Sequence, residues 1–168
     1  MSCITEILKR KGDEPYLIQD GIAIESGGIY KDYEYLVTFT YLGHRCGYVA
    51  IPPGHELYNI DSMNGKDIDL DVHGGITHDG KHNIVEKILG YQCDDKWIGF
   101  DCGHAGDGAD LELVIKVFPY NRRIKEFIKI KEQTRQEFPS LDEFEEIRSN
   151  EFVESECKHI IDQLISYT

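Results

Sequence analysis

Basic residues are in short supply in this 168-residue chain: 18 lysines and arginines stand against 31 aspartates and glutamates, a formal net charge of −13. So acidic a chain repels the phosphate backbone that a general DNA or RNA binder must neutralise, which argues against nucleic acid as a partner. A small anion held by backbone N–H groups in a local concavity is compatible with the charge. Nowhere do about 18 consecutive apolar residues occur, and Met1-Ser2-Cys3-Ile4-Thr5-Glu6 has no basic flank leading into an apolar core. Neither a membrane span nor a signal peptide is expected, and a cytoplasmic protein is. The five cysteines, Cys3, Cys46, Cys93, Cys102 and Cys157, are odd in number and scattered without a Cys-x-x-Cys pair. That excludes a zinc ribbon, argues against a disulfide framework, and points to reduced thiols. Glycine is missing from the last 60 residues, all of its occurrences lying at or before Gly108, so the organisation of the chain changes there.

What is present suits one domain over residues 1–168, sheet-rich over 1–118 and helical over 119–168. A hydrophobic fraction of 40% in a chain this long can bury a core without a metal or disulfide. The expected class is α+β, a mostly antiparallel sheet within residues 34–118 packed by C-terminal helices. Ile4, Ile7 and Leu8 at helical spacing, followed by Lys9-Arg10-Lys11-Gly12, predict a short first helix. From Gly21 to Tyr33 the pattern weakens, and Ser26-Gly27-Gly28 reads as a turn. Glu34 to Leu42 alternates as a strand, Gly43 to Gly47 turns the chain, and Tyr48 to Ile51 returns as its hairpin partner, ended by Pro52-Pro53. After a loop from His55, Lys66 to His73 alternates strictly, with Ile68, Leu70 and Val72 against Asp67, Asp69, Asp71 and His73.

Lys96 to Cys102 is another strand. Ile84 to Gly90 and Leu111 to Ile115 are too short for their period to choose between helix and strand. Arg122 to Phe138 has helical spacing. Ser140-Leu141-Asp142-Glu143 is a capping box that starts a further helix, and Val153, Cys157, Ile160, Ile161 and Leu164 form the apolar stripe of a final one.

Chemistry concentrates in two stretches, His73-Gly74-Gly75-Ile76-Thr77 and Trp97 through Asp107. Paired glycines after a strand serve either as a tight turn or as a nest of N–H groups for an anion, with Thr77 as a hydroxyl donor. Asp101-x-x-His104-x-x-Asp107 joins imidazole to carboxylate, partners in metal sites and in acid–base pairs. Asp71, His73, His104 and Asp107 are the candidate ligands of a divalent metal, although the helix-borne His-Glu-x-x-His spacing is absent. The Asp67, Asp69, Asp71 ladder lacks the tight glycine turn and distal Glu of a calcium loop and reads as a solvated strand face. Cys102 alternates inward with Phe100 and reads as core. His44, His78, His82 and His159 lie in polar surroundings and read as surface.

These two stretches, with Glu151 to Leu164, resemble a family of small proteins encoded by tailed phages and prophages, over roughly residues 48 to 165. No catalytic role comes with the resemblance. It implies an accessory role in host takeover, such as countering a defence that signals through nucleotides. The leading expectation is a binding protein in which His73, Gly74, Gly75, Thr77, Trp97, Asp101, His104 and Asp107 hold a small nucleotide-like ligand, with no cofactor. The alternatives are a metal-dependent hydrolase or phosphodiesterase and a protein–protein decoy acting through the acidic C-terminal helices.

Overall fold

The computed structural model describes residues 2–60, 69–119, 121–140 and 144–167. Ser2 starts helix α1 (Cys3–Lys11) by accepting the Thr5 N–H on its hydroxyl, and Gly12, at φ 57°, ends it after three basic residues. Its apolar side, Cys3, Ile4 and Ile7, is buried. Six strands follow: β1 (Leu17–Gln19), β2 (Ile22–Tyr30), β3 (Tyr33–Thr40), β4 (Arg45–Ile51), β5 (His78–Gly80) and β6 (Lys96–Asp101). They form one sheet in the order β1-β2-β3-β4-β6-β5, with every neighbouring pair antiparallel. Helices α2 (Asn83–Leu89), α3 (Leu111–Val117), α4 (Arg122–Glu137) and α5 (Asn150–Ser166) complete the described elements.

The α+β class is as expected, but the sheet begins well before residue 34 and ends at Asp101. Ser26-Gly27-Gly28, read as a turn, lies inside β2, where a register shift between Ile24 and Ser26 marks a bulge. The two glycines are there for room: a Cβ on Gly27 would sit 2.7 Å from the Tyr35 carbonyl oxygen, and one on Gly28 would touch the Tyr35 ring. The true turn is Lys31-Asp32, both at positive φ, the two-residue geometry that matches strand twist. Leu111–Val117 is a helix capped by Asp110, whose carboxylate accepts the Leu113 N–H.

Alternation decides which helix covers which face. Tyr35, Val37, Val49, Ile51, Ile98, Phe100 and Cys102 point to one side, where they bury the stripe Val153, Cys157, Ile160, Ile161 and Leu164 of α5. Leu36, Ala50 and Trp97 point to the other, under α1 and α2. Ala23 and Phe39 continue the first side beneath α3 and α4. Burial of a large side chain contributes about 1.5–3 kcal/mol, so these three clusters supply most of the driving force.

Residues 69–73 keep the expected alternation, with Leu70 and Val72 buried and Asp69 and Asp71 exposed, but they join no ladder. Residues 66–68 of that proposed strand, and Leu141 to Glu143 of the capping box, lie outside the described residues. The cysteine reading needs correction: Cys3 and Cys93 are disulfide-bonded, tying the start of α1 to the segment before β6. Their separation of 90 residues hides the pairing from any spacing rule. Among the described residues, no helix is long and apolar enough to cross a membrane.

His82, expected at the surface, is buried and caps α2, its Nδ1 accepting the Val85 N–H. Burial, with His78 beside it, pushes its pKa from 6.5 down to about 4. The contribution is fully present above 6.5 and is lost as pH falls towards 4, because the unfolded chain takes up a proton that the folded site refuses. His82→Asn, which keeps a capping oxygen, should flatten the urea-derived stability profile across that interval, where His82 costs the wild type roughly 3 kcal/mol.

Candidate functional site

Asp107 organises the site. Its side chain is only 1% exposed, and three donors converge on it: His73 Nε2 at 2.9 Å, Arg148 Nε at 2.9 Å and the His104 backbone N–H at 3.1 Å. Burial alone would raise its pKa, but the bonds from His73, Arg148 and the His104 N–H outweigh burial and hold the carboxyl below its ordinary value. The loop after β6 is closed on itself by the Asp107 N–H donating to the His104 carbonyl. It is also pinned to the segment before α5, since Gly108 N–H donates to Glu146 O and Glu146 N–H to Gly106 O. Arg148 packs over the Phe152 ring at 5.1 Å, and that ring meets His73 edge-on at 5.3 Å.

The paired glycines acquire separate roles. The Gly75 N–H donates to the Val72 carbonyl and closes a turn, so this donor is not offered to a ligand. Gly74, at φ 70°, is where the His104 ring sits: a Cβ there would lie 2.2 Å from His104 Cε1. His104 Nδ1 is buried and has no hydrogen-bond partner, standing 3.6 Å from Asp101 Oδ1 and 3.7 Å from Asp107 Oδ2. His73, His104 and Asp107 each offer a ligand atom within 4.8 Å of the others, close enough to hold a metal ion. Asp71 is not with them; its side chain is 92% exposed and faces His159 on α5.

Two cavities open beside this group. One, of about 250 Å³, is lined by His44, His104, Asp107, Lys131 and Arg135, among others. The second, of about 420 Å³, takes in Leu42, Cys46, Asp101 and Phe127, and shares His44, Gly103 and Lys131 with the first. His44, expected at the surface, thus stands at the junction. Burial holds its imidazole below the ordinary pKa, with Lys131 acting in the same direction against Asp107 and Asp101.

Of the eight expected ligand residues, Asp101, His104 and Asp107 line these cavities, while His73 and Gly74 support them from behind. Thr77 donates its backbone N–H to Gly99 O and extends the β5–β6 pairing. Trp97 is fully buried under α1 and α2 and lines neither of these two cavities. It shares a sheet face with Asp101, but only the Asp101 end of that face is open. Cys102 is buried, with burial pushing its thiol up to about 12, which fits the core reading. His44, Lys131 and Arg148 carry no motif in the sequence. They enter the site because the turn before β4, α4 and the segment before α5 meet there.

Compared with protein-family models, with curated proteins and with solved structures, the chain finds no match in any of the three.

Gly74→Ala should cost about 1–3 kcal/mol in urea unfolding, through the clash with His104 and the positive φ. The His104 ring resonances in an NMR spectrum should shift with it, whereas Gly75→Ala, with no atom near its Cβ position, should leave them in place.

Proposed function

We propose that the joined cavities bind a small nucleotide-like anion, and that the protein acts as a phage-encoded accessory protein sequestering such a ligand, for example a nucleotide signal of host defence. One observation carries this reading: an imidazole- and cation-lined cavity and a more apolar one meet at His44, Gly103 and Lys131. A phosphate suits the first, where Lys131, Arg135 and two imidazoles gather in a chain of net charge −13. A planar base suits the second, against Phe127 and Leu42, with Asp101 as acceptor for a sugar hydroxyl or an amino group. Of the three residues common to both cavities, Lys131 carries the permanent charge and is the one best placed to choose an anionic ligand.

A second reading, hydrolysis of the same ligand by a metal-activated water, is favoured by the closeness of His73, His104 and Asp107. Here the water oxygen would bond to phosphorus as the ester P–O bond breaks and the leaving oxygen takes a proton. Mass spectrometry of a ligand released by heat separates the readings: an unaltered nucleotide supports sequestration, a cleaved one hydrolysis.

Calorimetric titration with mononucleotides and cyclic dinucleotides tests the cleft. Lys131→Ala should weaken binding about tenfold or more, as expected for the loss of a charge-assisted contact, with no change in melting temperature. Undiminished affinity in Lys131→Glu would place any nucleotide elsewhere.

A further inference from the structure

The hydrolytic reading leaves open what ion the site takes. Its donor set is two imidazole nitrogens and one carboxylate oxygen, on a turn closed by the Gly75 N–H to the Val72 carbonyl and a loop closed by the Asp107 N–H to the His104 carbonyl, with His73 Nε2 already against the Asp107 carboxylate. His104 is held against Gly74 by contact with the backbone, and its Nδ1 faces the Asp107 carboxylate without a partner. This buried nitrogen makes no hydrogen bond and stands between two carboxylates, Asp101 Oδ1 at 3.6 Å and Asp107 Oδ2 at 3.7 Å, with a second imidazole on Asp107, a setting that a cation would satisfy. Arg148 grips Asp107 Oδ1 at 2.9 Å, which orients the carboxylate so that Oδ2 faces the two histidines. Such a hydrogen bond behind a ligand is a usual support for a metal-binding carboxylate.

We propose that His73 Nε2, His104 Nδ1 and Asp107 Oδ2 bind one dication of the zinc or ferrous-iron class, leaving open positions towards the cavity that His104 and Asp107 line. Ligand chemistry selects the ion. Magnesium and calcium require a shell of oxygens and are not served by two imidazoles and one carboxylate. Zinc accepts this set with a fourth position free, and ferrous iron accepts it as three ligands on one face. The existing distances, 2.9 Å from His73 and 3.7 Å from His104 to Asp107 Oδ2, bracket the separation of about 3.3 Å between neighbouring ligands at tetrahedral zinc. The two imidazoles offer their ligand atoms within 4.8 Å of each other, so occupation draws the rings together around the ion. His73 must present Nε2 without a proton to bind, so in the loaded site the neutral imidazole carries its proton on Nδ1. The anion placed in the cleft above would then complete the coordination through a phosphate oxygen. This last step rests on the hydrolytic reading, whereas the three-ligand site does not.

The test is a titration of the chelator-treated, full-length protein with Co²⁺, whose visible d–d absorption reports both binding and coordination number. One equivalent should saturate an absorption displaced by Zn²⁺ and not by excess Mg²⁺. His73→Ala and His104→Ala should abolish it, and Arg148→Gln should weaken it about ten- to a hundredfold. His104 is one-third exposed, and His104→Gln serves if the alanine variant does not melt cooperatively. Absence of a saturable spectrum, or one unchanged in a folded His104 variant, overturns the proposal. Nucleotide titrations on the same samples keep the outcomes apart. Binding to metal-free protein without any cobalt site removes the metal and leaves the cleft, while a cobalt site with neither binding nor cleavage of nucleotides removes the cleft and leaves the metal.

Discussion

A single buried carboxylate holds together the parts of this protein that its sheet does not. Asp107 receives His73 from the turn after residues 69–72, the His104 N–H from its own loop, and Arg148 from the approach to α5. Arg148 in turn gives its carbonyl to Arg45 Nη1, and Arg45 forms a two-bond pair with Glu25 on β2. A chain of charge-assisted hydrogen bonds thus runs from the second strand to the site. Burial alone would disfavour the charge on this carboxylate; the three donors outweigh it, and removing one of them would leave the charge less well compensated.

The sheet was legible where one face is apolar along its length. Alternation over residues 34–42 and 96–102 located the strands and assigned Phe100 and Cys102 to the core, and the stripe from Val153 to Leu164 identified the helix that covers them. β2 was not legible, because Gly27 and Gly28 make way for Tyr35 in the manner of a turn while the real turn uses Lys31 and Asp32. The site was legible in its glycine, imidazole and carboxylate members, since His73, Gly74, His104 and Asp107 do assemble. It was not legible in Lys131, Arg148 and His44, which reach it through packing of distant segments. Trp97 shows the limit from the other side: alternation places it on the face of Asp101, but which half of that face α1 and α2 close depends on tertiary structure.

Charge is distributed in opposition to its sum. In a chain of net charge −13, Lys131 and Arg135 bring positive charge to the smaller cavity, while Arg148 is engaged by the Asp107 carboxylate that lines it. Glu145, which also lines that cavity, tempers this. Two cations and two carboxylates therefore share one cavity lining in a chain of net charge −13, where surface fields are screened over about 8–10 Å.

The Cys3–Cys93 bond has a consequence for the chain when it is not folded. Its loop, with the two cysteines 90 residues apart, contains five of the six described strands and excludes β6, α3, α4 and α5. An unfolded chain so tethered is a ring with a free tail, and closing a loop that long removes chain entropy equivalent to about 4–5 kcal/mol. Oxidised and reduced molecules with the same native contacts would therefore differ in the ensemble from which they fold, and the β4–β6 pairing would have to join a segment inside the ring to one immediately beyond its closure.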